Sequence, residues 1–136
     1  MTPAALARTH AAAFTQTRPW SEPEFADLLG SRGVILLGDA KSFLLGRVIG
    51  DEAEVLTLAT HPENLRQGLA SARLDSFTTQ ARAMGVVTIF LEVAQDNISA
   101  KALYYNAGFI IVGHRPQYYS TADGRKIGAD VLRLMV

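Results

Sequence analysis

An α+β fold, a mixed sheet flanked by helices, is predicted by three observations in this sequence of 136 residues. Short apolar runs separated by "GDAK" and "GDEA" read as a meander of three strands. One long amphipathic stretch, residues 68–84, follows them and closes on Gly85. Behind it, "VVTIFLEV" at 86–93 is almost continuously apolar, as a strand covered on both faces is. A third strand, a crossover helix and a strand parallel to the third make one βαβ unit, whose crossover should be right-handed.

The elements follow in order. Residues 3–14 read as a helix with Leu6, His10 and Phe14 on one stripe. In "SEPEFADLLG", Ser21 can cap a second helix, Glu24 completes a capping box and Gly30 can end it. Residues 33–38 and 42–49 form a hairpin, and 54–60 the third strand. Ala70, Leu74, Phe77, Ala81 and Met84 recur at alternating spacings of four and three along one helical face. After the strand at 86–93, Asn97 can cap a short helix that ends near Asn106, with Gly108 just beyond. "FIIVGH" is a strand, "YYSTADGRK" holds an Asp-Gly turn, and "ADVLRLMV" closes the sheet. The order is α-α-β-β-β-α-β-α-β-β, expected as a single domain over 1–136.

Thirteen basic residues balance thirteen acidic ones. Neither nucleic acid nor an anionic membrane is therefore an expected partner. The absence of cysteine excludes disulfides, thiolate catalysis and thiolate metal sites. "MTPAALARTHAAAF" interrupts its apolar stretch with Arg8 and His10, unlike a signal peptide. No apolar run approaches the ~18 residues of a membrane span. The expected location is the cytoplasm, and the expected state a monomer or weak homodimer.

Three features carry chemistry. Gly68 sits at a helix start in "LRQGLA", although glycine costs a helix roughly 0.5–1 kcal/mol against alanine. It serves either the turn alone or an anion that must approach the first helical N–H groups, with Arg66 adding charge. The pattern is neither a Walker loop nor a dinucleotide fingerprint. Glu92 stands in an apolar strand, on one face with Thr88 and Phe90. It is either a poorly solvated carboxylate of raised pKa suited to general-base work, or the point where the strand reaches solvent. Tyr104 follows on the next helix, either packed or pointing its hydroxyl over the strand ends. His10, His61 and His114 show no ligand spacing, so no metal is expected; they read as surface or packing residues, and His61 is the one placed to touch a substrate.

Together these residues resemble the GNAT superfamily of acetyl-coenzyme A-dependent N-acetyltransferases over nearly the whole chain. "LRQGLA" matches the glycine and terminal small residue of that family's Gln/Arg-x-x-Gly-x-Gly/Ala signature, with Leu65 standing at the first position. "PWSEPEF" (19–25), "LEVAQDNISAKALYYNAGF" (91–109) and "YYSTADGR" (118–125) are most similar to the bacterial ribosomal-protein N-terminal alanine acetyltransferases. The resemblance implies Glu92 as proton acceptor and Tyr104 as proton donor in direct acetyl transfer. It implies that Leu58, Ala59 and Thr60 offer backbone to the acetyl-pantetheine arm. Arg66, Gln67, Gly68, Leu69, Ala70 and Ser71 would hold the pyrophosphate, and Asn97 would touch the cofactor. Trp20, Tyr118, Tyr119 and Asp130 would receive a peptide N-terminus, the rings as walls and the carboxylate against its ammonium. The rivals are a small-molecule amine acetyltransferase and a coenzyme A-binding module without catalysis. The family usually opens with a strand before its first helix, and here that edge strand is expected to be missing or short.

Overall fold

Thr2 opens the fold: its Oγ1 accepts from the Ala5 N–H and caps helix α1 (Pro3–Ala13) in the computed structural model, which describes residues 1–121 and 123–136. Helix α2 (Glu22–Leu29) starts on the expected capping box, in which Ser21 and Glu24 satisfy each other's backbone N–H groups. Strands β1 (Val34–Gly38), β2 (Ser42–Ile49) and β3 (Glu52–Thr60) form the antiparallel meander. Helix α3 (Leu69–Ala83) crosses to β4 (Thr88–Ala94), which pairs parallel to β3 as expected. Helix α4 (Ile98–Asn106), β5 (Ile110–Ser120) and β6 (Lys126–Met135) complete a sheet of order β1-β2-β3-β4-β6-β5.

The sheet divides the core. On one face, Leu74, Phe77 and Ala81 of α3 pack against Leu44, Val55, Ile89, Leu91 and Leu132. Gly46 is required there, because a Cβ would run into the Phe77 ring. On the other face, Leu6 and Phe25 of α1 and α2 pack against Phe43, Leu45 and Ala59. Among the described residues, no helix is long and apolar enough to cross a membrane.

Four boundaries differ from the sequence reading, the first being the start of β3, at Glu52 rather than 54. The strand expected from 86 begins at Thr88, because the Val86 N–H still bonds the Ala81 carbonyl at the end of α3. β5 runs past the strand expected in "FIIVGH" through "RPQYYS" to Ser120; a bulge between Arg115 and Tyr119, with Gln117 at φ 55°, keeps it paired to β6. β6 starts at Lys126, and the segment "YYSTADGR" includes position 122, which lies outside the described residues. α1 begins at Pro3, and the short strand β1 forms that edge of the sheet.

The pairing of β3 with β4 is brief. It runs from Glu52↔Thr88 to Val55↔Leu91. Leu56 is then an extra residue on β3, since Gly46 faces Val55 while Leu45 faces Thr57. Beyond this bulge β3 continues along β2 to Thr60, and β4 continues along β6 to Ala94. The two central strands therefore splay apart.

Candidate active site

The splay opens a cleft of about 730 Å³. Thr57 and Leu58 line it from β3, Glu92 to Ala94 from β4, and Asn97 and Tyr104 from α4. The far wall comes from residues 14–18 and Trp20, and from Tyr118 to Ser120 on β5. These two outer segments are tied together: the Arg18 N–H donates to the Ser120 carbonyl at 3.2 Å, and Thr17 bridges Thr121. Backbone thus closes across the cleft.

Glu92 lies on the sheet face that carries Phe90 and Val131. The apolar surroundings expected for it do not form. Arg115 Nη1 donates to both carboxylate oxygens, at 2.9 and 3.1 Å, and the guanidinium sits 4.0 Å from the centroid of the Tyr118 ring. The Tyr119 hydroxyl donates to the Glu92 carbonyl at 3.2 Å. The cause is topological. β6 is inserted between β4 and β5, and the bulges of β5 turn Arg115 to the Glu92 face. Glu54, one strand away and opposite Phe90, shares that face; burial, then the charge of Glu92, pushes its carboxyl up.

Tyr104 is buried in the core on the α3 side, edge-on to Phe109 with centroids 5.8 Å apart. Burial pushes its phenol above the ordinary range, so it stays protonated at any working pH. Asn97 caps α4, its Oδ1 accepting from the Ala100 N–H at 3.2 Å. Leu58 faces the cleft, whereas Ala59 is buried against α1 and α2 and the Thr60 hydroxyl pairs with Ser42 at 2.9 Å.

The glycine turn is built as an open backbone corner. Arg66 and Gly68 both take positive φ, 62° and 74°. Gly68 is the N-cap of α3 and no side chain bonds the first turn. A Cβ added at Gly68 would meet nothing within 4 Å, so the conformation demands glycine while the space beside it stays open. Arg66 through Ser71 stand outside the lining of the cleft between β3 and β4.

Trp20, Tyr118 and Tyr119 all line the cleft, Tyr118 and Tyr119 edge-to-face at 4.9 Å. Asp130 does not, which corrects its expected role. It faces away from Glu92, opposite Val93, and is buried with Lys101 Nζ at 2.8 Å and His114 Nδ1 at 2.7 Å. Hydrogen bonding from Lys101 holds its carboxyl below the usual carboxylate range. Each oxygen of this carboxylate is thus engaged by a cation or imidazole of the chain itself, away from the cleft.

His10 lines the cleft, although in the sequence it reads as a packing or surface residue. It stacks between Phe14, at 4.2 Å, and Trp20, at 5.3 Å. The Trp20 N–H donates to Nδ1 at 3.1 Å, so Nε2 carries the proton of the neutral ring and donates to Thr57 Oγ1 at 3.0 Å. The stripe Leu6-His10-Phe14 placed His10 on the inner face; its partners come from distant segments. Burial pushes the imidazole from about 6.5 down to about 4. The unfolded chain therefore binds this proton at a higher pH than the folded one. Stability is expected to fall as pH drops from about 6.5 toward about 4, and to be insensitive to His10 above that window. Thermal unfolding of the parent and of His10→Phe across pH 4–7 checks this; an equal pH slope in both would refute it.

The model for the Acetyltransferase (GNAT) family matches residues 8–109. The chain is 38% identical over 112 residues to the ribosomal protein bS18-alanine N-acetyltransferase of Escherichia coli (strain K12), covering 79% of this chain and 76% of that protein. The crystal structure of the ribosomal-protein-S18-alanine N-acetyltransferase from Escherichia coli superposes with a TM-score of 0.87 at 31% identity, covering 98% of this chain and 87% of that one. The structure of yncA from Salmonella typhimurium with its cofactor acetyl-CoA matches at TM-score 0.75 and 20% identity, over 98% of this chain and 87% of that one, a likeness of fold.

Proposed function

This chain is an N-acetyltransferase of the acetyltransferase (GNAT) family, and from that premise we propose that it uses acetyl-coenzyme A to acetylate the N-terminal amino group of a protein such as a ribosomal protein. The observation that carries this reading is the splay between β3 and β4, with Glu92 and Tyr104 both lining the one cleft that it opens. The backbone tie between Arg18 and Ser120 supports an N-terminal acceptor. A continuous chain cannot lie across a cleft closed in that way, whereas a chain end can enter it. The relatives at 38% and 31% identity carry names that specify alanine of a ribosomal protein as the residue acetylated on nitrogen.

The residues fit the coenzyme. The N–H groups of Leu69, Ala70 and Ser71 begin α3 without a side-chain cap, and the open space at Gly68 lets a phosphate reach them. Arg66 and Gln67 flank that corner. Leu58, Ala59 and Thr60 would give backbone to the pantetheine arm, and Asn97 would meet it from α4. When bound, the coenzyme supplies an acetyl thioester. Glu92 takes the proton of the acceptor ammonium, directly or through water, while Arg115 fixes its orientation. Trp20, Tyr118 and Tyr119 wall the acceptor. Tyr104 donates a hydrogen bond to the departing thiolate. No metal enters the scheme. We place the enzyme in the cytoplasm as one domain over 1–136, monomeric or weakly dimeric, without nucleic-acid or membrane partners.

Release of free thiol from acetyl-coenzyme A tests the reading across three panels: peptides with a free N-terminus, N-blocked peptides with lysine, and small amines. Turnover is expected with the first panel. Preference for small amines would reassign the acceptor, and coenzyme binding without turnover would make this a non-catalytic module.

Tyr104→Phe removes only the hydroxyl. A coenzyme thiol titrates near 8.5 if like free cysteine, and an ordinary phenol near 10. Burial pushes Tyr104 higher still, so full proton transfer to the thiolate runs uphill. The hydroxyl then acts mainly by hydrogen bonding, and kcat is expected to fall about tenfold, less than for loss of the base. The acetyl-coenzyme A Kd should stay unchanged. Full activity across the pH range would reject the donor role, and weakened coenzyme binding would make Tyr104 a cofactor contact.

A further inference from the structure

Thr57 is a second polar group in the cleft, and the preceding scheme leaves it unused. It sits on β3 directly after the Leu56 bulge, where β3 has lost β4 as a neighbour. Its hydroxyl oxygen accepts from His10 Nε2 at 3.0 Å. The direction of that bond is fixed, because His10 Nδ1 already accepts from the Trp20 N–H. His10 itself cannot turn: the Phe14 ring lies almost parallel to it, at 19°, and Trp20 flanks it as well. The Thr57 oxygen is thus committed as an acceptor, and its own proton is free to donate. Among the described residues the Thr57 hydroxyl makes no other hydrogen bond. The side chain is 8% exposed, and what exposure it has is toward the cleft. A donor that has no acceptor within the chain and faces the cleft is available to a ligand oxygen.

The position decides which oxygen. Thr57 and Glu92 lie on the same face of the sheet, on the two strands that splay, one on each side of the opening. An amine held at Glu92 with its first substituents reaching across the opening would bring them to β3. In a peptide, the carbonyl of the first residue is separated from the amine by one carbon. We propose that Thr57, oriented by His10, donates a hydrogen bond to the carbonyl oxygen of the acceptor's first residue, and so selects an α-amino acyl acceptor over a simple amine. Glu92 reads the amine and Thr57 reads the neighbouring carbonyl. His10 is the positioning residue, acting only through Thr57. This inference rests on the peptide acceptor of the previous section.

Thr57→Val keeps the shape and β-branching of the side chain and removes the donor. With an alanine-terminated peptide, KM is expected to rise about three- to tenfold, the scale of one neutral hydrogen bond. The kcat and the acetyl-coenzyme A Kd should hold. With isopropylamine, which lacks the carbonyl, the kinetics should not change. Thr57→Ser restores the donor and should return the peptide KM to near the parent value. His10→Phe keeps a stacked ring and frees the hydroxyl to rotate, so peptide KM should rise here too. An equal loss with peptide and isopropylamine, or a loss confined to kcat, would overturn the proposal and make Thr57 a stabiliser of the reacting acyl group. An unchanged peptide KM in a folded Val variant would overturn it as well. Should Val fail to fold, Thr57→Ala compared with Thr57→Ser makes the same measurement. If the parent enzyme itself turns over no peptide, the peptide reading fails with this one; if peptide turnover is robust and indifferent to Thr57, this one fails alone.

Discussion

Glu92→Gln is expected to slow acetyl transfer by about 10²-fold or more, the scale on which a general base contributes, while acetyl-coenzyme A binds as before. The substitution is nearly isosteric. The glutamine stays on β4, and its oxygen can still accept from Arg115 Nη1, which now bonds both carboxylate oxygens. The Tyr119 bond to the Glu92 carbonyl involves backbone and survives. The cleft should therefore keep its shape, and only the basic oxygen is lost. Thiol release measures turnover, and calorimetry measures the coenzyme Kd. Turnover equal to the parent at pH 7 would leave Glu92 as the structural partner of Arg115 and hand proton removal to another base or to water. A fall in both turnover and coenzyme affinity would point to a collapsed cleft.

Gly68→Asp is expected to weaken acetyl-coenzyme A binding by about 100-fold or more, since like charges brought together in a binding site cost several kcal/mol. Two costs must be separated. Gly68 has φ 74°, so any side chain strains the backbone, by about 1 kcal/mol for the residues that tolerate this region best. No atom within 4 Å opposes a Cβ, so the fold should survive. Gly68→Asn supplies the control: it has the same size and the same backbone cost, without the charge. Asn should bind the coenzyme more weakly than the parent but clearly better than Asp. Equal binding by Asp and the parent would detach this corner from the coenzyme. Equal loss in Asn and Asp would assign the effect to shape rather than charge.

Local signals carried most of the fold. Ser21 and Glu24 announced α2 through adjacent chemistry, and the Ala70-to-Met84 periodicity announced α3 within about one residue of its ends. The order of strands β4-β6-β5 had no such signal, because pairing between distant strands leaves no local trace. That one gap accounts for the site errors. Without β6 between β4 and β5, nothing in the sequence brings Arg115 to Glu92, and nothing shows that Asp130 points to the opposite face, toward Lys101 and His114. His10 is a different case. Its stripe with Leu6 and Phe14 was visible, but its bonds to Trp20 and Thr57 span 10 and 47 residues. A titratable residue on an apolar stripe reads alike whether it only packs or also points.

An open sheet of six strands normally has two borders, here β1 and β5. The early parting of β3 and β4 gives this one two more, facing each other inside the molecule. Unpaired strand borders ordinarily invite association with other chains, the first step toward aggregates. The inner pair is sheltered from that hazard. The Arg18–Ser120 tie closes over it, and α4 contributes Asn97 and Tyr104 to its wall. A flat strand belonging to another folded molecule has no approach. A slender extended molecule carrying amide groups does, and it finds unspent backbone donors and acceptors on either side. The defect in the ladder is thus a selective filter, in which the exclusion of unwanted strands and the admission of a narrow guest come from the same geometry.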